Sequence, residues 1–368
     1  MKPPLELVRG ALRTMAAYKT PPDPPPIKLD ANESPWPLPP HARERLREVL
    51  GAADLHRYPD LGAREVKRLL AARLGASPDE LVLGVGSDEV IGMLMAALSE
   101  PRPGTERASV IIPTPSFVMV PLTAHVHGLT PVEVPLVDGT WALDRPAMLD
   151  AIARTRPNLV YVATPNNPTG NAMDDGDLRA IVEAASESLV VIDEAYGPFA
   201  SSTHGAFCAR HPNVAVLGTL SKIGLAGLRL GWARLHPALA AEIEKARPPY
   251  NLSTFTQLTA ATILGELPEV LDDAVARIIE ERERLTAELN AIAGVRAPSS
   301  QANFLLVEVP DAARVHAGLA ERGISVRRFA SEPRLADHLR ITVGTPAEND
   351  ALIEALEELL ACPRSEAK

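Results

Sequence analysis

Four short segments of this 368-residue chain combine glycine, polar and charged residues in patterns that could support chemistry. They are GVGSDE (84–89), TPNNPTG (164–170), DEAY (193–196) and TLSKIGLAGLRLG (219–231). Each segment ends or follows an apolar run that predicts a buried strand. Because open α/β sheets bind ligands beyond the carboxyl ends of their strands, we expect the four segments to meet at one site.

The first and last segments could together bind an anion. In GVGSDE the glycines end a predicted strand, and Ser87 can cap the helix that follows, whose first backbone N–H groups favour a phosphate. In the last segment Ser221 and Arg229 add a hydroxyl and a guanidinium. Taken alone, GVGSDE is more typical of an ordinary strand-to-helix turn, because it has neither the full GxGxxG pattern nor a Walker lysine.

The remaining polar residues suggest what chemistry such an anion site would serve. Lys222 follows a predicted strand among small and apolar residues, where a lysine can act as a nucleophilic amine. Asp193 ends a buried strand, where a carboxylate is costly unless a cation pairs with it. Asn167 and Tyr196 could hold a ring hydroxyl. Singly, these residues also fit an exposed lysine, a solvated strand end and a turn, but together they meet the requirements of pyridoxal phosphate.

The rest of the chain indicates how these residues are positioned. Short, nearly continuous apolar strands alternate with helices up to about residue 250, which predicts a three-layer α/β/α domain with a mainly parallel sheet. A smaller α+β domain follows. We therefore predict an N-terminal arm over 1–40 that packs with the small domain or a dimer partner, a large cofactor-binding domain over 41–250 and a small domain over 251–368.

The arm and the overall composition bear on partners and location. Nine prolines fall within residues 21–40, and proline removes backbone donors, so we expect an extended arm. The formal charge of -10 argues against a nucleic-acid or membrane-surface partner. Cys208 and Cys362 have no metal-ligand spacing, so neither a structural zinc nor a disulfide framework is expected. A signal core and an apolar run of membrane-spanning length are both missing, which predicts a cytoplasmic protein.

The four segments, in this order, resemble fold type I pyridoxal-phosphate aminotransferases. Further segments make the chain similar to the histidinol-phosphate aminotransferase branch: LDANESP (29–35), RYPD (57–60), SVRRF (325–329) and LRITVGT (339–345). The likeness covers nearly the whole chain. It implies pyridoxal 5′-phosphate as cofactor and transfer of an amino group between histidinol phosphate and 2-oxoglutarate, in histidine biosynthesis.

The resemblance also implies a role for each matching residue. Lys222 would carry the cofactor and move the proton at the substrate Cα, Asp193 would keep the ring nitrogen protonated, and Asn167 and Tyr196 would hold the ring hydroxyl. The other implied cofactor contacts are Ser87, Asp88, Phe117, Ser221 and Arg229, and Tyr58 from the neighbouring subunit of a homodimer. The implied substrate contacts are Tyr18, Asn32, Arg327 and Arg340.

Three alternatives stay open at this stage. A threonine-phosphate decarboxylase would also bind a phosphorylated substrate, and an aromatic amino acid aminotransferase would differ only in substrate. A catalytically inactive domain used for sensing would not need Lys222, Asp193 and Asn167 together. The chain also departs from the family pattern, since seven positions separate Lys222 from Arg229 where many relatives have eight, and Val120 stands where relatives often have tyrosine.

Overall fold

The computed structural model describes residues 4–13 and 25–361, which form eleven strands and thirteen α-helices. The strands are β1 (Ile27–Leu29), β2 (Leu81–Val85), β3 (Ser109–Thr114), β4 (Thr130–Pro135), β5 (Leu159–Ala163), β6 (Leu189–Asp193), β7 (Val214–Thr219), β8 (Leu230–Leu235), β9 (Phe304–Glu308), β10 (Ile324–Arg328) and β11 (His338–Thr342).

The helices divide between the two ends of the chain. The first nine are α1 (Gly10–Arg13), α2 (Pro40–Gly51), α3 (Arg64–Leu74), α4 (Gly86–Ala97), α5 (Met119–His127), α6 (Arg145–Thr155), α7 (Asp175–Ala184), α8 (Gly205–Arg210) and α9 (Pro237–Ile243). The last four are α10 (Thr254–Glu266), α11 (Glu269–Ala291), α12 (Ala312–Glu321) and α13 (Pro346–Ala361).

A seven-stranded sheet has the strand order β2-β8-β7-β6-β5-β3-β4, and helices pack on both of its faces. Only β8 runs antiparallel to its neighbours in this sheet, and the other pairings are parallel. Every residue of β5 and β6 is buried. Successive side chains of β5 enter different cores, with Tyr161 on the α4 side and Val162 on the α6–α7 side. The predicted three-layer, mainly parallel architecture is confirmed.

A second, four-stranded sheet has the order β1-β10-β11-β9. One face packs on α11, α12 and α13 through residues such as Leu285, Leu319 and Leu352. Part of the predicted arm supplies the edge strand β1, which pairs in parallel with β10, with Ile27 opposite Ile324. The division of the chain at residues 40 and 250 stays a prediction.

The sequence patterns missed several helices, among them α6 and α10, although both begin with ordinary capping signals. The side chain of Asp144 accepts from the Ala147 backbone N–H at 3.0 Å at the start of α6, where a proline also occupies the first turn. Ser253 accepts from the Thr256 N–H at 3.1 Å at the start of α10. These caps could have been recognised from the sequence.

Candidate active site

A cavity of about 540 Å³, including the open space at its mouth, lies at the ends of β5, β6 and β7 that carry the TPNNPTG, DEAY and TLSK segments. Nine of the ten predicted cofactor contacts line it, namely Ser87, Asp88, Phe117, Asn167, Asp193, Tyr196, Ser221, Lys222 and Arg229. The fold therefore brings together residues as far apart in the sequence as Ser87 and Arg229. Their individual roles stay predictions.

Asp193, the last residue of β6, is 5% exposed and accepts two hydrogen bonds. Its Oδ2 accepts from the hydroxyl of Tyr161, and its Oδ1 accepts from the Ala195 N–H at 2.8 Å. Burial raises the pKa of Asp193 above its ordinary value, and these two hydrogen bonds partly oppose the increase. A cation beside this carboxylate would relieve the cost of burying it, which fits a protonated ring nitrogen.

Tyr161 contacts a predicted site residue, Asp193, although the sequence patterns did not identify it. It lies in the middle of β5, and burial, together with the Asp193 carboxylate, raises its pKa well above the ordinary value. The hydroxyl therefore stays protonated and donates to Asp193. A tyrosine inside an otherwise apolar strand needs a partner for its hydroxyl, and that need was the available signal.

The opposite part of the cavity suits an anion. The Ser221 hydroxyl accepts from Thr219 Oγ1 at 2.9 Å and from Arg229 Nη1 at 3.4 Å. Arg229 Nη2 also donates to Asp88 Oδ2 at 3.3 Å. A guanidinium and hydroxyls at the start of α4 form the kind of donor set that holds a phosphate.

Close approach of β8 to α4 depends on glycine. A Cβ on Gly231 would lie 2.3 Å from the backbone nitrogen of Ser87, which is closer than such atoms ever approach. Gly86, with φ of +74°, donates its N–H to the carbonyl of Arg229 at 2.7 Å. The anion cradle, which is the donor set of Ser221, Arg229 and the start of α4, thus depends on the close backbone approach that Gly231 and Gly86 allow.

Lys222 lies in a tight connection between β7 and β8. Residues Ser221–Leu225 form a π-helical turn, Ala226–Leu228 form a 3₁₀ turn, and Arg229 then adopts a left-handed backbone conformation with φ of +51°. This path accommodates the seven-position spacing and still brings Arg229 to Ser221. The amine of Lys222 lies 5.8 Å from the centroid of the Tyr196 ring.

Asn32 connects the arm to the cavity. Its Nδ2 donates to the Tyr196 hydroxyl at 2.8 Å, and its backbone N–H donates to Thr342 Oγ1 at 2.9 Å. Its carbonyl accepts from Asn303 Nδ2 at 3.0 Å. The residue is 1% exposed and has φ of +54°, a conformation that asparagine tolerates better than most residues. Asn32 therefore lies beside Tyr196, which lines the cavity, and its contact with the substrate stays a prediction.

The two predicted substrate arginines lie opposite each other on β10 and β11. Arg340 is 9% exposed, and its Nη1 donates to Asn167 Oδ1 at 2.7 Å. Its Nη2 donates to the Asp30 carbonyl at 2.5 Å. Arg327 pairs with Arg340 in the sheet register, which places both side chains on one face, but Arg327 is exposed and does not line the cavity.

Tyr58 and Tyr18 are the two remaining predicted residues. Tyr58 is 79% exposed, and its ring stacks on that of Tyr250 with centroids 4.5 Å apart. It does not line the cavity of its own chain. Tyr18 lies outside the described residues. The role of each stays a prediction.

The donor set fits pyridoxal phosphate, since hydroxyls, a guanidinium and a helix start suit its phosphate and a buried carboxylate suits its ring nitrogen. Within residues 4–13 and 25–361, the structure contains no cluster of three or more histidine, cysteine, aspartate or glutamate side chains able to hold a metal ion. In the same residues, no helix is long and apolar enough to cross a membrane.

Comparison with known families decides the class of this site. The family model for class I and II aminotransferases matches residues 24–356. The chain belongs to this aminotransferase family. Its similarity to the histidinol-phosphate aminotransferase of Paracidovorax citrulli is 44% identity, covering 96% of this chain and 97% of the relative. Histidinol-phosphate aminotransferase 1 of Burkholderia lata is 43% identical, covering 99% and 100%.

Solved structures agree with the assignment of this chain to the aminotransferase family. The histidinol-phosphate aminotransferase of Sinorhizobium meliloti, in complex with pyridoxal-5′-phosphate, superposes with a TM-score of 0.84 at 26% identity, covering 96% of this chain and 97% of that one. The threonine-phosphate decarboxylase of Porphyromonas gingivalis gives a TM-score of 0.75 at 19% identity over 91% and 100%, a likeness of fold alone. The predicted fold type I class, family and cofactor, pyridoxal 5′-phosphate, are confirmed.

Proposed function

We propose that this aminotransferase moves the amino group of histidinol phosphate to 2-oxoglutarate, giving imidazole-acetol phosphate and glutamate, as a step of histidine biosynthesis. The observation that carries the proposal is the joint lining of one cavity by Lys222, Asp193 and Arg229. The names of the relatives at 44% and 43% identity support the choice of substrate.

Each end of the cavity has a task in this reaction. Bound pyridoxal phosphate supplies a protonated ring that accepts the electrons released when the substrate Cα–H bond breaks. Asp193 holds the proton on the ring nitrogen, and the Tyr161 hydroxyl helps to keep Asp193 ionised. Asn167 and Tyr196 hold the ring hydroxyl. The amine of Lys222 carries the cofactor and then moves the proton at the substrate Cα.

The anion cradle fixes the cofactor while the substrate exchanges. Ser221, Arg229 and the first backbone N–H groups of α4, at Ser87 and Asp88, hold the phosphate. Phe117 lines the same cavity and would contact the ring of the cofactor. This division leaves Lys222 able to change its bond without loss of the cofactor.

Substrate recognition falls to the arginines of the small sheet. Arg340 is already oriented by Asn167 and the Asp30 carbonyl, so a substrate carboxylate or phosphate meets a guanidinium with little freedom left to lose. Arg327, on the same face, adds a second cation for an anionic substrate. Asn32 and Tyr18 complete the proposed substrate contacts.

We also propose a cytoplasmic homodimer in which Tyr58 completes the neighbouring subunit's phosphate site. The Tyr58 ring is 79% exposed, although it is stacked on Tyr250, and Leu55, Leu61 and Phe255 are also exposed. Such exposed apolar side chains on one chain are typical of an interface with another protein. The proposed substrates are small molecules, and the charge of -10 does not suit a nucleic acid.

The proposal is tested by titrating the cofactor-loaded protein with candidate amine donors while its visible absorption is recorded. Histidinol phosphate should remove the visible band at far lower concentration than glutamate or phenylalanine, and 2-oxoglutarate should restore it. Threonine phosphate should release no carbon dioxide. Preference for phenylalanine would contradict the proposed substrate, and release of carbon dioxide would contradict the proposed reaction.

A further inference from the structure

A buried histidine that does not line the cofactor cavity bridges two carboxylates. Nδ1 of His204 lies 2.8 Å from Oε1 of Glu194, and Nε2 lies 3.0 Å from Oδ1 of Asp175. A neutral imidazole has one N–H and an imidazolium has two, so only the charged ring can donate to both carboxylates. Because His204 is 3% exposed, this geometry describes a buried imidazolium.

The two carboxylates belong to the segments that present cofactor contacts. Glu194 directly follows Asp193 at the end of β6, and its backbone N–H donates to the Leu217 carbonyl at 3.0 Å. Asp175 is the first residue of α7, which follows the loop that contains Asn167. The bridge therefore joins the two segments that bring Asp193 and Asn167 to the cavity.

Glu194 is held by more than the ring. Its Oε1 also accepts from the backbone N–H of His204 at 2.6 Å, and its Oε2 accepts from Thr203 Oγ1 at 2.9 Å. The Glu194 carboxylate is thus fixed against the segment that precedes α8. A neutral side chain at position 204 would leave two carboxylates without the cation that lies between them.

The groups around the ring determine how this bridge responds to pH. Burial alone would lower the pKa of His204, but hydrogen bonds and charges from Glu194 on β6 and Asp175 on α7 raise it above the ordinary value. On α8, burial raises the pKa of Cys208 to about 11, so its thiol stays neutral over most of the range considered below. On β8, Arg234 is paired with Glu80 at 2.7 Å.

The direction of the pH effect follows from the raised pKa. The folded protein holds the His204 proton more tightly than the unfolded chain does, so the stabilisation is complete below the unfolded pKa. It is lost as the pH rises through the folded pKa, where the ring keeps one N–H and one carboxylate loses its donor.

We propose that His204 is a positioning residue for the cofactor: its imidazolium holds Glu194 and Asp175, and through them Asp193 and Asn167, in the arrangement that binds the ring. The inference rests on the proposed cofactor roles of Asp193 and Asn167. It concerns how firmly the cofactor is held, whichever amine donor the enzyme prefers.

The test is the dissociation constant of pyridoxal phosphate for the full chain, measured without substrate from about pH 6 to pH 10, the range around histidine titration. At the acidic end His204→Gln should bind on the order of tenfold more weakly, the lower limit for partners that orient the ligands of metal sites. The difference should shrink as the pH rises. The control is His211→Gln, which replaces a nearby histidine whose ring centroid lies 5.7 Å from that of Phe207. This variant should bind pyridoxal phosphate like the wild type.

Two milder variants keep the test valid if His204→Gln does not fold. Asp175→Asn removes one carboxylate from the ring, so the midpoint of the pH dependence should move to lower pH. Asp177→Asn removes a charge from the same turn of α7 and should leave the midpoint unchanged. Equal midpoints for the two variants, or His204→Gln binding like the wild type at every pH, would overturn the inference. A wild type that binds no cofactor would instead overturn the proposed function.

Discussion

The hydrogen bond from Tyr161 to Asp193 gives the sharpest quantitative prediction. Tyr161→Phe removes one oxygen atom from a buried position. Of the two hydrogen bonds described above for the Asp193 carboxylate, it removes the one from Tyr161 and keeps the one from the Ala195 N–H. A hydrogen bond to a charged group contributes about 1.5–3 kcal/mol. Because Asp193 must be ionised to hold the ring proton, we expect kcat/KM to fall by about 10- to 100-fold.

The same substitution should change the pH dependence in a defined direction. Burial already raises the pKa of Asp193, and the Tyr161 hydrogen bond lowers it, so loss of that bond must raise the pKa further. The acidic limb of the kcat/KM profile should therefore move to higher pH. The assay is 2-oxoglutarate-dependent turnover of histidinol phosphate at saturating cofactor.

The matched control removes a buried hydroxyl just before the start of β6, the strand that ends at Asp193, away from the cavity. Ser188 is 5% exposed and donates to the Pro157 carbonyl at 2.6 Å. Ser188→Ala should lower the stability of the protein and leave the pH profile in place. An unshifted acidic limb in Tyr161→Phe, or a rate loss no larger than that of Ser188→Ala, would refute the role given to Tyr161.

Three further predictions concern other parts of the site. Gly231→Ala should weaken the binding of pyridoxal phosphate far more than that of pyridoxal, because the added Cβ would lie 2.3 Å from the Ser87 nitrogen. In the same titration Gly227→Ala should bind both compounds normally, because its added Cβ would meet no other group within 4 Å. Arg327→Ala should lower kcat/KM for histidinol phosphate more than for glutamate, and equal losses would contradict the role of Arg327. Burial raises the pKa of Asp193, so its ionisation lowers the stability of the cofactor-free protein as the pH rises. Without cofactor at neutral pH, Asp193→Asn should therefore melt at a higher temperature than the wild type, and it should lose turnover.

The sequence allowed the sheet and the position of the site to be predicted because both depend on local patterns. Continuous apolar runs such as β5 and β6 indicate strands buried on both faces, and polar residues at their carboxyl ends converge by topology. The direction of a strand in the sheet is not indicated by its apolar pattern. The antiparallel orientation of β8 was not predicted for that reason.

Contacts that depend on register or on distant segments could not be predicted. Tyr161 reaches Asp193 from the neighbouring strand, and the apolar pattern of a strand does not fix which residue lies beside which. Arg340 and Asn167 are 173 positions apart, so their contact exists only after the two sheets have packed together. The helix α10 was missed because Thr259 and Thr262 are buried alongside its apolar residues, which obscures the helical period.

The central claim is that one cavity holds pyridoxal phosphate through Lys222. Borohydride reduction of the cofactor-loaded protein, followed by proteolysis and mass spectrometry, tests it most directly, since reduction fixes the cofactor to the amine that carries it. The account predicts the added mass on the peptide that contains Lys222, and no fixed cofactor in Lys222→Ala. Label on a peptide with another lysine such as Lys67 or Lys245, or no label in the wild type, would contradict it.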